Sequence, residues 1–244
     1  MESTAYKVKD KLNAPVEEAY KVLRTNIQFC NFNKETKTIA ITSCNPGEGK
    51  TTTAINLAIS MAKSGMKVLL IDADLRKPML MKHLGGNNDV GLSNFISGYS
   101  TAEEITNPTD VDNLYFIACG PKPPNPAELI GSSRFSDLLK EAGRKYDMII
   151  IDTPPLGSVI DCAIISAQTD GTLIVIESKA IDLQNALRVK EQLERANARI
   201  LGVVLNKVSK SDYKNYYNYY NYYGKARKFD LGILKKLKSR KVQL

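Results

Sequence analysis

The chain of 244 residues has no run of about 18 apolar residues, so it offers no membrane-spanning helix. Its first residues lack the apolar segment of a secretory signal peptide. Its 4 cysteines, Cys30, Cys44, Cys119 and Cys162, are scattered, with no C-x-x-C pair and no metal-ligand spacing, which predicts a reduced, cytoplasmic protein. No internal repeat is evident. One stretch is poor in acidic residues: positions 207–244 hold 11 Lys and Arg against 2 Asp and Glu, a net of +9 out of +8 for the whole chain. The remainder, 1–206, is therefore close to neutral, with 23 basic and 24 acidic residues. An acidic partner for the tail is implied: a membrane surface, a nucleic acid, or the protein's own active site.

With 43% hydrophobic residues, the chain has ample material for a core. Apolar, β-rich runs at 38–43, 67–72, 114–118, 148–152, 172–177 and 200–206 alternate with amphipathic stretches at 50–64, 127–143 and 182–197. Near-continuous Val/Ile/Leu runs mark strands buried on both faces, and their alternation with helices predicts an α/β fold with a mostly parallel sheet. Function in such a fold belongs at the carboxyl ends of the strands. The proline-rich stretch 120–128 reads as a loop, a lid or a subunit contact.

The first predicted strand runs into "SCNPGEGKTTT" at 43–53. Strand, glycine-rich turn and helix in this order make a phosphate-binding loop of the P-loop NTPase type. The expected nucleotide-binding residues are Pro46, Gly47, Glu48, Gly49, Lys50, Thr51 and Thr52. Backbone N–H groups approach the phosphates, Lys50 reaches the outer phosphates, and the Thr51 hydroxyl ligates Mg²⁺. The generic motif's first glycine is replaced by Cys44. Two further strands end in acids. "KVLLIDADLRKP" ends in Asp72, with Asp74 two residues on, and "YDMIIIDTPP" ends in Asp152. Such acids emerge at the carboxyl edge, where a hard cation needs oxygen ligands. Asn206, ending the last strand, is an expected contact to the adenine base of ATP.

The tail contains "YKNYYNYYNYYGK", with Tyr213, Tyr216, Tyr217, Tyr219, Tyr220, Tyr222 and Tyr223, seven of the chain's 12 tyrosines. Asn at every third position breaks strand alternation, and Asn, Gly and Lys disfavour packing. Beside an ATP site such a segment reads as a phosphorylation substrate; alone it would read as an RNA-stacking tail.

These motifs in this order, with a tyrosine cluster following, resemble the bacterial tyrosine kinases of the Gram-positive type, in which the kinase is a separate cytoplasmic chain. The resemblance runs almost end to end. It implies Mg²⁺- and ATP-dependent autophosphorylation of the seven tail tyrosines, action on other protein substrates, and a role in capsule or exopolysaccharide synthesis. It implies activation by a membrane-anchored polysaccharide co-polymerase, which recruits the chain to the inner face of the cell membrane, and reversal by a protein-tyrosine phosphatase. A specific nucleic-acid partner is not expected. By the same resemblance Lys50 binds phosphate, Thr51 and Asp152 hold Mg²⁺, Asp74 supports the metal, and Asp72 is the base for the tyrosine hydroxyl. The family's N-terminal helix motif, used in ring-shaped homo-oligomers, corresponds to Glu18, Lys21 and Arg24 on a helix over about 16–30. Lys21 stands where Arg is expected, losing the bidentate fork. A solvated charged face with local ion pairs is an equal reading of the three.

The expected organisation is a kinase domain over 1–206 and a basic tyrosine-rich tail over 207–244. The alternative is the related partition and cell-division ATPases, which share the fold without kinase activity. Their signature lysine five residues before the invariant one is Asn45 here. A further expectation concerns the last segment, 229–244, which combines apolar Leu231, Ile233, Leu234 and Leu237 with five basic residues in a form that suits anionic lipid. Each phosphotyrosine adds about −1.5 to −2 charges, so roughly five would offset the tail's charge and loosen such a contact.

Overall fold

The computed structural model describes residues 6–8, 12–30, 36–85, 89–180, 182–209 and 211–212. The chain divides into two units, Met1–Lys207 and Val208–Leu244, and the architecture below is that of the first. The tyrosine cluster and the segment 229–244 lie outside the described residues.

Among the described residues seven strands form one sheet: β1 (Thr38–Ser43), β2 (Val68–Asp72), β3 (Thr106–Pro108), β4 (Leu114–Ile117), β5 (Met148–Asp152), β6 (Gly171–Glu177) and β7 (Ile200–Asn206). Their order is β3-β4-β2-β5-β1-β6-β7. All pairs are parallel except β3 against β4. Side chains alternate between two apolar layers, as the period of two requires. Ile39 and Ile41 of β1, Val68 and Leu70 of β2 and Ile150 of β5 share one layer. Ala40, Leu69, Ile71, Ile149 and Ile151 face the other. The P-loop NTPase-type α/β architecture expected from the strand pattern is thus present, and the continuous apolar runs of β1, β2 and β5 reflect burial on both faces; the run at 200–206 does not, because β7 ends the sheet and leaves Val203 and Leu205 exposed.

On the first face lies α2 (Lys50–Ala62), in which every residue except Thr52 is buried. A helix apolar on all sides must be covered on all sides, and the outer cover is α1 (Ala14–Phe29), with Ile27 buried and the Arg24 guanidinium donating to the Ser60 carbonyl of α2 at 2.5 Å. The Asn13 side chain caps α1 by accepting from the Val16 amide at 3.1 Å, and Pro15 sits in the first turn, where its missing N–H costs nothing. The opposite face is covered by α4 (Leu92–Ile96), α6 (Pro126–Ile130), α7 (Ser133–Lys145) and α8 (Asp161–Ser166), through Leu92, Ile96, Ile130, Phe135, Leu138, Leu139 and Ile165. The helix α9 (Leu183–Arg195) covers β6 with Val189 and Leu193. Two short helices, α3 (Leu80–Leu84) and α5 (Ala102–Ile105), complete the order.

The predicted helix at 127–143 is divided into α6 and α7 at Gly131–Ser132. Ser132 takes an extended conformation, φ −73° and ψ 156°, at the α7 N-cap position. Serine favours such a position over a helix interior because its hydroxyl competes for backbone groups; here Ser132 Oγ donates to the Leu129 carbonyl at 2.7 Å. No described helix is long and apolar enough to cross a membrane.

Candidate active site

Parallel pairing decides where the acids go. In the β2–β5 ladder Asp72 lies opposite Asp152, and in the β1–β5 ladder Ile41 lies opposite Asp152. Two carboxyls therefore end adjoining strands at the edge where the chain leaves β1 for residues 44–49. Neither has measurable exposure.

That loop is set by two left-handed glycines, Gly47 at φ 85° and Gly49 at φ 93°, a region that residues with side chains rarely adopt. At Gly49 any Cβ would also collide with the Asn206 side-chain amide. The Asn206 amide nitrogen donates to the Glu48 carbonyl at 2.9 Å, so the end of β7 braces the loop. Glu48 is buried, and its Oε2 accepts the Asn45 N–H at 2.8 Å. The Asn45 carbonyl oxygen accepts the Ser43 hydroxyl, and its side-chain oxygen accepts from Asn185 of α9 at 3.0 Å. Pro46, Gly47 and Thr52 are exposed around this framework. Cys44, in place of the usual glycine, is buried, and burial with the nearby Glu48 charge pushes its thiol pKa up to about 11.

From the first turn of α2, Lys50 reaches inward. Its ammonium lies 3.3 Å from the Thr51 hydroxyl, 3.5 Å from Asp74 Oδ2 and 3.8 Å from Asp152 Oδ1. The Thr51 hydroxyl donates to Asp152 Oδ2 at 2.7 Å. Lys50, Thr51, Asp74 and Asp152, drawn from three sequence motifs, thus form one buried polar cluster at the opening of a helix. Asp72 sits beside it: its Oδ1 accepts the Asp74 N–H at 3.2 Å and its Oδ2 the Leu80 N–H at 3.3 Å.

The electrostatics follow from burial. Desolvation first, and the Asp152 charge second, hold the Asp72 carboxyl well above the ordinary carboxylate range. Asp152 rises to about 6, chiefly through desolvation, with Lys50 and the Thr51 hydrogen bond pulling it back. Asp152 Oδ1 is a buried oxygen with no hydrogen-bond partner among the described residues. Those residues contain no group of three or more His, Cys, Asp or Glu able to cage a metal unaided. One orphaned carboxylate oxygen beside a hydroxyl suits Mg²⁺, which takes one or two carboxylates and completes its shell with water and phosphate oxygens.

A pair absent from the motif reading ties this edge together. Arg76 donates through Nε to Asp161 Oδ2 at 2.7 Å and through NH2 to Asp161 Oδ1 at 2.9 Å. Asp161 is 1% exposed and opens α8. The fork fastens the loop after β2 to the helix that follows the β5 loop. The D-x-R spacing from Asp74 was the only sequence cue, and nothing nearby pointed to Asp161. Glu18, Lys21 and Arg24 lie elsewhere, on α1. Lys21 is 3.5 Å from Glu18 and 3.8 Å from Glu17, both partly exposed pairs along the helix, while Arg24 is engaged with Ser60 within the chain.

Two outcomes are expected. Arg76→Ala leaves the Asp161 charge buried without its partner; discounted for the partial exposure of Arg76, it lowers stability by about 2–3 kcal/mol, whereas Asp161→Asn with Arg76 present costs less, as read by denaturant midpoints. Asp152→Asn isolates the pH term. The folded chain keeps this carboxyl protonated up to about 6, whereas an unfolded aspartate releases its proton near 3.8. The stability this group contributes is thus fully present below the lower value and is lost as pH rises through the upper one. The stability of nucleotide-free wild type relative to Asp152→Asn falls by about 1–3 kcal/mol between pH 4.5 and 7.5; a difference independent of pH would contradict the burial account.

Residues 36–202 match the AAA domain family. The chain is 42% identical over 199 residues to tyrosine-protein kinase YwqD of Bacillus subtilis (strain 168), covering 80% of this chain and 84% of that protein. It is 41% identical to tyrosine-protein kinase CpsD of Streptococcus agalactiae serotype Ia, with the same coverages. The crystal structure of the chimerical protein CapA2B2 superposes with a TM-score of 0.79 at 34% identity, covering 84% of this chain and 94% of that one. The cell-division ATPase MinD of Pyrococcus furiosus follows at a TM-score of 0.62 and 27% identity, covering 75% and 80%. With a glycine-rich loop opening a helix beside two strand-end acids, and with this similarity along four-fifths of its length, the chain belongs to the bacterial tyrosine-protein kinase family.

Proposed function

We propose that the chain transfers the γ-phosphoryl group of ATP to its own tail tyrosines, Tyr213, Tyr216, Tyr217, Tyr219, Tyr220, Tyr222 and Tyr223, and to other proteins. The observation that carries this reading is the convergence of Lys50, Thr51, Asp74 and Asp152 at the start of α2, next to a carboxyl, Asp72, of raised proton affinity. Phosphoryl transfer asks a protein mainly for alignment and charge neutralisation. The loop amides from Gly47 to Thr51 and the Lys50 ammonium hold the phosphates. Thr51 and Asp152, with Asp74 in support, would hold Mg²⁺, which would supply the remaining charge neutralisation. A phenol, with a reference pKa near 10, needs a proton acceptor as it attacks. Asp72 serves this role. Both its oxygens are engaged by the Asp74 and Leu80 amides, so residues 73–80 must shift for a tyrosine to reach it.

The tail's basic charge and tyrosine density suit it to enter a second copy's site, which supports transfer between subunits of a ring built through Glu18, Lys21 and Arg24. By the same reading the chain is cytoplasmic, is recruited and activated at the inner membrane face by a membrane-anchored polysaccharide co-polymerase, is reversed by a protein-tyrosine phosphatase, and governs capsule or exopolysaccharide synthesis. Mass spectrometry of the full chain incubated with Mg·ATP, with and without the cytoplasmic segment of its co-polymerase, tests this. Tail tyrosines gain phosphate, and Lys50→Met lowers the rate by at least about a hundredfold, the scale of losing one preorganised electrostatic contact. ATP hydrolysis with bare tyrosines would return the chain to the partition-type ATPase reading.

A further inference from the structure

The described domain carries five of the chain's 12 tyrosines, Tyr6, Tyr20, Tyr99, Tyr115 and Tyr146. Four are packed. Tyr6 lies edge-on to Phe116 and Tyr20 rests against the α2 core layer. Tyr115 and Tyr146 meet edge to face at 5.4 Å, with the Lys67 ammonium 5.3 Å from each ring. Tyr99 alone is exposed, at 84%. It stands on a tight turn after α4, where Gly98 takes φ 86° and the Tyr99 N–H donates to the Asn94 carbonyl at 2.9 Å. The backbone is pinned while the phenol projects into solvent.

Its place matters. The Leu92 and Ser93 amides bond the Ala118 and Cys119 carbonyls just beyond β4, and β3 begins with Thr106 opposite Ile117 at the carboxyl end of β4. The turn therefore lies on the sheet edge that carries the phosphate loop. It is also displaced sideways: β4 is separated from β1 by β2 and β5, three spacings or about 14 Å. A phenol held that far away on a fastened turn does not reach its own Lys50. A cation stands near the residue that precedes it, Gly98. Arg134, in the first turn of α7, donates through Nε to the Phe95 carbonyl at 3.1 Å and stacks on the Phe95 ring. Its NH1 lies 3.8 Å from where a Cβ on Gly98 would stand.

We propose that Tyr99 is a second phosphorylation site of this kinase, modified by another copy of the chain and received by Arg134. The proposal rests on the tyrosine-kinase reading. The Tyr99 oxygen forms a bond to the γ-phosphorus of ATP as the bond from that phosphorus to the β,γ-bridging oxygen breaks. The phenol proton passes to Asp72 of the acting copy, and ADP departs. The added −1.5 to −2 charges, roughly, then lie against a guanidinium already oriented by Phe95.

The test mixes two full-length chains in the presence of the co-polymerase segment and Mg·ATP. One is active, with all seven tail tyrosines changed to Phe; the other is an isotopically heavy Lys50→Met chain. Tandem mass spectrometry separates Tyr99 from Tyr115. Phosphate on Tyr99 of the heavy chain, rising with chain concentration, is expected. Wild type and Tyr99→Phe are run alongside, the substitution removing that phosphate and leaving tail labelling unchanged. A labelled tail with Tyr99 bare in every mixture overturns the proposal and leaves the kinase reading standing. Tyr99 labelled in the active copy alone overturns transfer between copies. No phosphate on any tyrosine defeats both. Arg134→Ala speeds dephosphorylation of Tyr99 by alkaline phosphatase relative to wild type; equal rates would remove Arg134 from its assigned role.

Discussion

Two carboxyls buried side by side, Asp72 and Asp152, are the constraint around which this fold is arranged. Parallel pairing of β2 with β5 puts them opposite each other and away from the solvent-exposed surface, where their repulsion is weakly screened. The chain answers with one ammonium, one hydroxyl and two backbone amides, and Asp152 Oδ1, 3.8 Å from that ammonium, is left without a hydrogen bond among the described residues. Left to itself this arrangement holds protons and costs stability as pH rises. Under the proposed function the same groups serve a ligand that brings positive charge and phosphate oxygens, and such a cost is the ordinary tension between a binding site and a well-satisfied core.

The rest of the architecture keeps that cluster in place. The helix α2 is buried on nearly every side, so Lys50 and Thr51 emerge from a rigid element whose outer face is closed by α1. Asn206 from the far strand and Asn185 from α9 fasten the phosphate loop. The Arg76–Asp161 fork joins the two acid-bearing loops on the other side. Loops that would otherwise move independently are thereby fixed to sheet and helices.

Much of this was legible in the sequence, for physical reasons. The runs at 38–43 and 148–152 coincide with β1 and β5 because strands buried on both faces leave no room for polar residues; the run at 200–206 coincides with β7, an edge strand that is only partly covered and leaves Val203 and Leu205 exposed. The phosphate loop and strand-end acids were legible because their chemistry constrains residue type and spacing locally. The edge strand β3, "TNP", was not: three residues ending in proline carry no alternation, and proline is tolerated there because an edge leaves one side of the ladder open. The break between α6 and α7 was hidden by an apolar periodicity running through it, which the preference of Ser132 for a cap position overrides. Arg76 and Asp161 are 85 residues apart, and only the folded chain brings them together. Glu18, Lys21 and Arg24 were read as either an interface or a solvated face. The chain pairs the first two locally and turns the third inward to α2, as far as a single copy goes.

The central claim is that this acid cluster is a magnesium-nucleotide site, so the direct measurement is the thermal shift of the full chain with ATP as Mg²⁺ is titrated. A site built around buried carboxylates should gain little from ATP in the presence of EDTA and several degrees once Mg²⁺ is added, in proportion to occupancy. An equal shift with and without the metal would mean that Asp72 and Asp152 are not there to meet a cation, and the account would fail.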